Sequence, residues 1–213
     1  MFSLIHNWVL DLILPRHCLG CGVSKTDLCP ACLSGLPSAT PPEQQKDRWS
    51  LFDYHHPLIK SAIWHLKYRG RRALGQRLGQ ELHERLIKNW QILKPVLVVP
   101  VPLARARLAE RGFNQSALIA RGLVQSNPDY LKLNERCLIK IKTTPTQVEI
   151  KNREERLINL RGAFAVRAPE EVRGQTIILV DDVLTTGGTV TEARRVLLDA
   201  GAARVIITTI AHG

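Results

Sequence analysis

Apolar and polar positions along this chain alternate with two different periods, and the periods separate strands from helices. Residues 49–54 (WSLFDY) alternate with the period of two expected of a strand. In residues 56–70 (HPLIKSAIWHLKYRG), Leu58, Ile59, Ala62, Ile63 and Leu66 recur at helical spacing and the run stops at Gly70. A second helix follows through Leu74, Leu78, Leu82 and Leu86. Residues 95–102 (PVLVVPVP) form a short apolar strand closed by prolines, and residues 114–125 (NQSALIARGLVQ) form a helix for which Asn114 is the expected N-cap. The runs CLIKI, GAFAV, TIILV and RVIITTIA predict further strands, the last two flanking a helix over 190–200. Short, fully apolar strands interleaved with amphipathic helices predict an α/β fold with a mainly parallel sheet. No internal repeat or low-complexity tail interrupts this pattern.

Composition adds a class and a charge. At 213 residues and 45% hydrophobic, the chain suffices for one good core and a small appendage. The formal charge of +11 favours polyanionic partners such as nucleic acid, phosphorylated metabolites or an anionic membrane surface, unless the lysines and arginines are merely solvated. The most apolar N-terminal run, residues 2–14, is too short to span a bilayer and holds His6, Asn7 and Asp11. It lacks a basic leader and a small-residue cleavage site, so a short packed helix through Leu4, Trp8 and Leu12, in a cytoplasmic protein, is the expectation.

Four of five cysteines fall in CLGCGVSKTDLCPACL: Cys18, Cys21, Cys29 and Cys32, spaced C-x2-C-x7-C-x2-C. Two such pairs joined by a short loop can place four thiolates tetrahedrally around Zn2+, with Gly22 giving the tight knuckle. Two disulfides are the alternative, disfavoured in the reducing compartment that the missing secretory signal implies. Four cysteine ligands leave no open coordination position, so the zinc would be structural. Cys137, in an alternating apolar run, reads as a core residue. The Pro-rich segment 36–48 reads as a linker or extended edge, dividing the chain into an N-terminal helix and knuckle (1–45) and a larger domain (46–213).

The densest chemistry lies in ILVDDVLTTGGT, residues 178–189. In an open parallel sheet, ligands bind beyond the carboxyl ends of strands, where loops enter helices. Here a strand delivers Asp181 and Asp182, and Thr185, Thr186, Gly187, Gly188 and Thr189 turn into the next helix. The glycines let successive N–H groups approach an anion, the threonines add hydroxyls, and the helix dipole adds attraction. A carboxylate pair suits sugar hydroxyls or a divalent cation. A ribose phosphate satisfies both halves. The competing explanation is local: Thr189 and Glu192 have capping-box spacing, which leaves two adjacent acids unexplained. Neither G-x4-G-K-[ST] nor G-x-G-x-x-G occurs.

VDDVLTTGGT resembles the signature of type I phosphoribosyltransferases, which bind 5-phosphoribosyl 1-diphosphate (PRPP) with Mg2+. The wider pattern resembles the ComF family of competence-associated proteins: the CLGCG and CPAC pairs, LKYRG (66–70), VPVPL followed by RGFNQS (111–116), then TPTQ, R-L-I-N and GAF between residues 144 and 164. Together these span nearly the whole chain.

The resemblance implies that Asp181 and Asp182 meet the ribose hydroxyls and act in any catalysis, that residues 185–189 hold the 5-phosphate, and that Arg105, Arg107 and Arg111 on a basic loop contact the diphosphate. Residues 142–164, with Gln147, Arg156 and Asn159, would be a mobile cover. Turnover would displace diphosphate from ribose C1 by a nucleophile. The 6-oxopurine enzymes of this fold carry an Asp where this chain has Thr185, which argues against oxopurine salvage. Two functions remain, the first preferred and the second its alternative. One is a DNA-uptake protein with a PRPP site and single-stranded DNA and competence-machinery proteins as partners, its nucleic-acid patch formed by Trp64, His65, Lys67, Tyr68 and Arg69. The other is a metabolic phosphoribosyltransferase acting on a nitrogenous base.

Overall fold

The computed structural model describes residues 16–39, 47–90, 94–142 and 160–213. Its strands, in chain order, are β1 (Arg48–Asp53), β2 (Val96–Pro100), β3 (Leu131–Leu133), β4 (Leu138–Lys140), β5 (Phe164–Val166), β6 (Thr176–Leu184) and β7 (Arg204–His212). Five of them form a sheet in the order β1-β7-β6-β2-β3, with every neighbouring pair parallel. The helices are α1 (Pro30–Ser34), α2 (Pro57–Tyr68), α3 (Arg72–Arg85), α4 (Arg105–Arg111), α5 (Gln115–Gln125), α6 (Pro169–Val172) and α7 (Gly188–Asp199). Among the described residues, no helix is long and apolar enough to cross a membrane.

Side chains of the central strands alternate between two apolar layers, as strand geometry requires. Val98, Ile178, Val180 and Ile210 pack on one face with Ile59 and Ile63 of α2, Leu74, Leu78 and Leu82 of α3, and Ile119 and Leu123 of α5. Val99, Ile177, Leu179, Val205 and Ile207 pack on the other with Val190, Ala193 and Leu197 of α7. Cys18, Leu28, Leu33 and Leu36 of the cysteine segment join the first layer. Arg71 donates to Asp27 Oδ1 at 3.0 Å, and Arg85 donates to the carbonyls of Leu33 and Leu36. The knuckle is thus bound to α3 by both apolar burial and charge-assisted hydrogen bonds.

Several expectations need correction. β6 does not end at Val180 but runs on through Asp181 and Asp182 to Leu184, because β7 stays paired with it as far as His212. CLIKI and GAFAV contribute not to the parallel sheet but to a separate antiparallel ribbon, β4 with β5. Their half-exposed positions (Ile139, Ala165) suit a ribbon that covers one layer, whereas an interior parallel strand needs both faces buried. The expected basic loop after β2 contains α4, built from good helix formers and ended by Gly112 in the left-handed region, φ 74°. The start of the Pro-rich segment pairs with β1, Ala39 N–H donating to Leu51 O at 2.9 Å. The proposed boundary near residue 45 and the helix through Leu4 and Trp8 lie outside the described residues.

Helices α3 and α5 touch backbone to backbone. A Cβ on Gly79 would lie 2.0 Å from the Ile119 carbonyl oxygen, and one on Gly122 would lie 2.0 Å from that of Gln76. Both helices carry a glycine because nothing larger fits between them. We expect Gly122→Ala to force the pair apart and to cost about 3 kcal/mol, the upper end of usual overpacking penalties. Denaturant unfolding checks this, and an unchanged midpoint would refute it.

Candidate functional site

The strand order creates the site. From β6 the chain crosses through α7 to β7 on one side, while from β2 it crosses through α5 to β3 on the other. The two crossovers pack on opposite faces of the sheet, so the loops leaving β2 and β6 diverge and open a crevice between them. A cavity of about 660 Å³ lies there, and residues 101–103 and 181–190 line it. β2 pairs with β6 only as far as Pro100↔Val180, so Asp181 and Asp182 stand just past the last β2 contact.

The acid pair is held by groups from separate elements. Asp181 Oδ1 accepts from Ser116 Oγ at 2.8 Å and from the Asp182 N–H at 2.9 Å. Asp182, 4% exposed, faces the Lys67 ammonium of α2, with Oδ2 to Nζ at 3.0 Å. That contact is an ion pair without hydrogen-bond direction, since Oδ2 has no hydrogen-bond partner of its own. Burial, then the Asp182 charge, push the Asp181 carboxyl up to about 7, opposed by the Ser116 hydrogen bond. Burial works against the Lys67 charge, yet Asp182 and Asp181 hold its pKa above the ordinary lysine value.

The turn after β6 is open at its amide end. Gly187 takes φ 75° as the residue preceding α7 and contributes no side-chain cap. The capping-box expectation is therefore corrected: Thr189 lies inside the helix, and Glu192 accepts instead from Gly162 N–H at 2.7 Å and from Arg195. Thr185, Thr186, Gly187, Gly188 and Thr189 all line the cavity. The first amides of α7 lack a side-chain cap, which suits an anion.

Across the cavity, Arg107 and Arg111 come from one face of α4, four residues apart. Arg105 lies about 200° around the helix from Arg107 and is not among the lining residues. The RGFNQS motif folds as one device. Gly112 ends α4, Arg111 donates to Gln115 Oε1, Asn114 caps α5 by accepting from Ser116 N–H at 3.1 Å, and Ser116 reaches Asp181. Gln147, Arg156 and Asn159 lie outside the described residues.

Sequence reasoning missed the roles of Ser116 and Lys140 in this cleft and put Lys67 in the wrong place. Lys67 belongs to the cleft, and Tyr68, 63% exposed, lines its rim, whereas Trp64, 44% exposed, is not among the lining residues. Lys140 of β4 also lines the cavity; burial, then the Arg107 charge, hold it below the ordinary lysine range. The quoted motifs LKYRG and RGFNQS were the signal for Lys67 and Ser116, but only the fold shows which acid each one meets. For Lys140, nothing in the sequence pointed to this cleft.

At the knuckle, the Sγ atoms of Cys18, Cys21, Cys29 and Cys32 lie within 4.8 Å of one another, so the four thiols can hold one metal ion. Cys21 and Cys29 sulfurs are 3.7 Å apart, far beyond a disulfide bond. Gly20 and Cys29 N–H groups point at Cys18 Sγ. Burial raises the Cys18 pKa, but backbone N–H groups of Cys29, Cys21 and Gly20 outweigh it and bring the thiol down to about 6. A metal-ligating thiolate needs such support. Gly22 takes φ 75° at the turn, and Cys137 is buried in the second apolar layer, as expected of a core residue.

Comparison with known proteins specifies this parallel sheet, whose switch point carries an acid pair and an open, glycine-led helix start. The family model for the phosphoribosyl transferase domain matches residues 80–213. Over 200 residues the chain is 34% identical to the DNA utilization protein YhgH of Escherichia coli (strain K12), covering 85% of this chain and 83% of that protein. It is 31% identical over 155 residues to competence protein ComFC of Bacillus subtilis (strain 168), covering 72% and 59%. Among solved structures it is similar to the glutamine PRPP amidotransferase from B. subtilis complexed with ADP and GMP, at 20% identity and a TM-score of 0.43, covering 65% of this chain and 26% of that one. The fold and the family model make this a phosphoribosyltransferase-type domain. The chain belongs to the ComF family of the type I phosphoribosyltransferase superfamily.

The raised Asp181 carboxyl has a consequence for stability. A folded-state pKa of about 7 against about 4 unfolded means the native state binds the proton more tightly. Its stabilising contribution is complete below about pH 4 and is lost as pH rises to about 7. Relative to Asp181→Asn, the wild type is therefore expected to lose stability across that window, as measured by denaturant unfolding at each pH. A pH-independent difference between the two would contradict the assignment.

Proposed function

We propose that this protein acts in DNA uptake or utilisation, binding PRPP with Mg2+ in the cleft at the β2/β6 switch point and single-stranded DNA on the adjoining surface. The observation that carries the reading is the acid pair near the end of β6, with five residues between it and the uncapped start of α7, and with Arg107 and Arg111 facing it across about 660 Å³. Asp181 and Asp182 offer acceptors to the ribose hydroxyls, residues 185–189 offer amides and hydroxyls to the 5-phosphate, and the two guanidiniums suit diphosphate oxygens. The hard carboxylate oxygens fit Mg2+ brought in with PRPP, Asp182 Oδ2 facing the Lys67 ammonium in the ligand-free protein. When bound, that ion neutralises charge on the leaving diphosphate. The chain's own residues orient the sugar and screen the anion. Arg105, from α4's other face, adds long-range charge.

Support for the DNA partner comes from the names of the relatives, from the +11 charge and from one surface feature. Trp64 and Tyr68 stand exposed on α2, with Arg69 over the Trp64 ring at 5.0 Å and Arg111 over the Tyr68 ring at 5.4 Å. Aromatics with stacked guanidiniums suit unpaired bases along a phosphate backbone. The residues that line the cleft are compatible with a metabolic transferase as well, but among the described residues no feature of the cleft singles out a nitrogenous base.

The two ligands are tested on one variant. Calorimetric titration of PRPP with Mg2+ is expected to show binding that falls roughly tenfold or more in Asp182→Asn, the loss of a hydrogen bond to a charged group. The same folded variant is expected to retain a single-stranded oligonucleotide with wild-type, steeply salt-dependent affinity by fluorescence anisotropy. A flat PRPP titration with the wild type would remove the cleft reading, and absence of oligonucleotide binding at low salt would remove the DNA partner.

The four-cysteine cluster we assign to structural Zn2+. The purified protein is expected to carry about one zinc per chain by elemental analysis, to lose it in Cys21→Ser, and to melt at lower temperature once stripped by a chelator. Finding no metal, or finding disulfides by mass spectrometry, would overturn the assignment.

A further inference from the structure

Lys67 is placed where a cation at the acid pair would otherwise sit. It occupies the last turn of α2, whose Ile59, Ile63 and Leu66 are fully buried in the first apolar layer. That anchoring fixes where the Lys67 stem begins and sends its ammonium to Asp182 Oδ2 at 3.0 Å, with the side chain only 22% exposed. The groups that act most on the ammonium, besides burial, are Asp182, Asp181 and Tyr54. Two adjacent carboxylates facing one cleft would by themselves attract a free divalent ion and repel an incoming diphosphate. An internal ammonium at van der Waals contact with one of them changes both tendencies.

We propose that Lys67 is the resident counter-cation of the acid pair, so that the ligand-free protein excludes free divalent metal and admits it only together with an anionic sugar phosphate. The inference rests on the PRPP reading of the cleft and deepens it. Lys67 is a positioning residue in this scheme: it holds the Asp182 carboxylate in the cleft and lowers the charge a diphosphate meets on approach. The competition is electrostatic: an ammonium 3.0 Å from Asp182 Oδ2 repels a free divalent ion, and only the charge of a bound sugar phosphate offsets that repulsion. The LKYRG motif thereby gains a function at its second position.

The probe is Mn2+ alone, which prefers oxygen donors and leaves a zinc-filled thiolate cluster undisturbed. Zinc-loaded full-length protein is titrated with Mn2+ without PRPP, and bound metal is read by electron paramagnetic resonance. The wild type is expected to show no site in the cleft. Lys67→Met, which keeps the aliphatic stem, is expected to gain one site, at least tenfold tighter than any binding to the wild type, and Lys67→Met/Asp182→Asn is expected to lose it again. Lys67→Gln gives the same readout if Met disturbs packing, with folding verified by thermal melt. Stoichiometric Mn2+ binding by the wild type that disappears in Asp182→Asn would overturn the proposal, as would folded Lys67 variants that gain no site. Because PRPP is absent from every arm, these failures are distinct from a flat PRPP titration.

Discussion

β6 is hydrogen-bonded on both sides as far as Val180 and on one side from there to Leu184. That unequal pairing is what the cleft depends on. β7 continues the ladder and keeps the backbone of Asp181 and Asp182 rigid, while β2 turns away into the loop that leads to α4. The acids are therefore fixed by a strand and yet open to a cavity on the side that β2 vacates. A loop would expose them equally well but would not hold Asp181 against Ser116 or Asp182 against Lys67 at 2.8 and 3.0 Å.

The rest of the site is assembled on that strand end by elements that are themselves locked by packing. The Gly79 and Gly122 contact brings α3 and α5 to backbone distance, and α5 carries Ser116 at its first turn. α2 is buried along one face, so its last turn presents Lys67 to the cleft, with Tyr68 at the cavity rim and Trp64 exposed. The cysteine knuckle continues the same apolar layer and is tied to α3 through Arg71 and Arg85. The cysteine cluster and the cleft thus share one core, although they are chemically separate.

Charge in the cleft is arranged in opposition. Desolvation disfavours the ionised form of Asp181, and the neighbouring Asp182 adds to that cost, whereas the Lys67 ammonium and the Ser116 hydroxyl offset part of it. Arg107 and Arg111 stand on the far wall, and burial, then the Arg107 charge, depress Lys140. A ligand with hydroxyls at one end and phosphates at the other matches this polarity better than a uniformly charged one would.

Much of this was legible from residue order. The apolar runs announced a parallel α/β sheet, Asn114 announced a helix cap, the four cysteines announced a cluster, and VDDVLTTGGT announced the acids and the glycine turn, because each of these is a local pattern set by strand or helix period, turn chemistry or ligand spacing. What residue order could not convey was decided by partners distant in the chain. β7 extends β6 past the acids, Gly162 and Arg195 take Glu192 away from any capping box, α4 turns Arg105 away from Arg107, and Lys67 meets Asp182 across 115 positions of sequence. Pairing length, the identity of an ion-pair partner and the facing of an arginine are properties of packed neighbours, and only the folded chain supplies those.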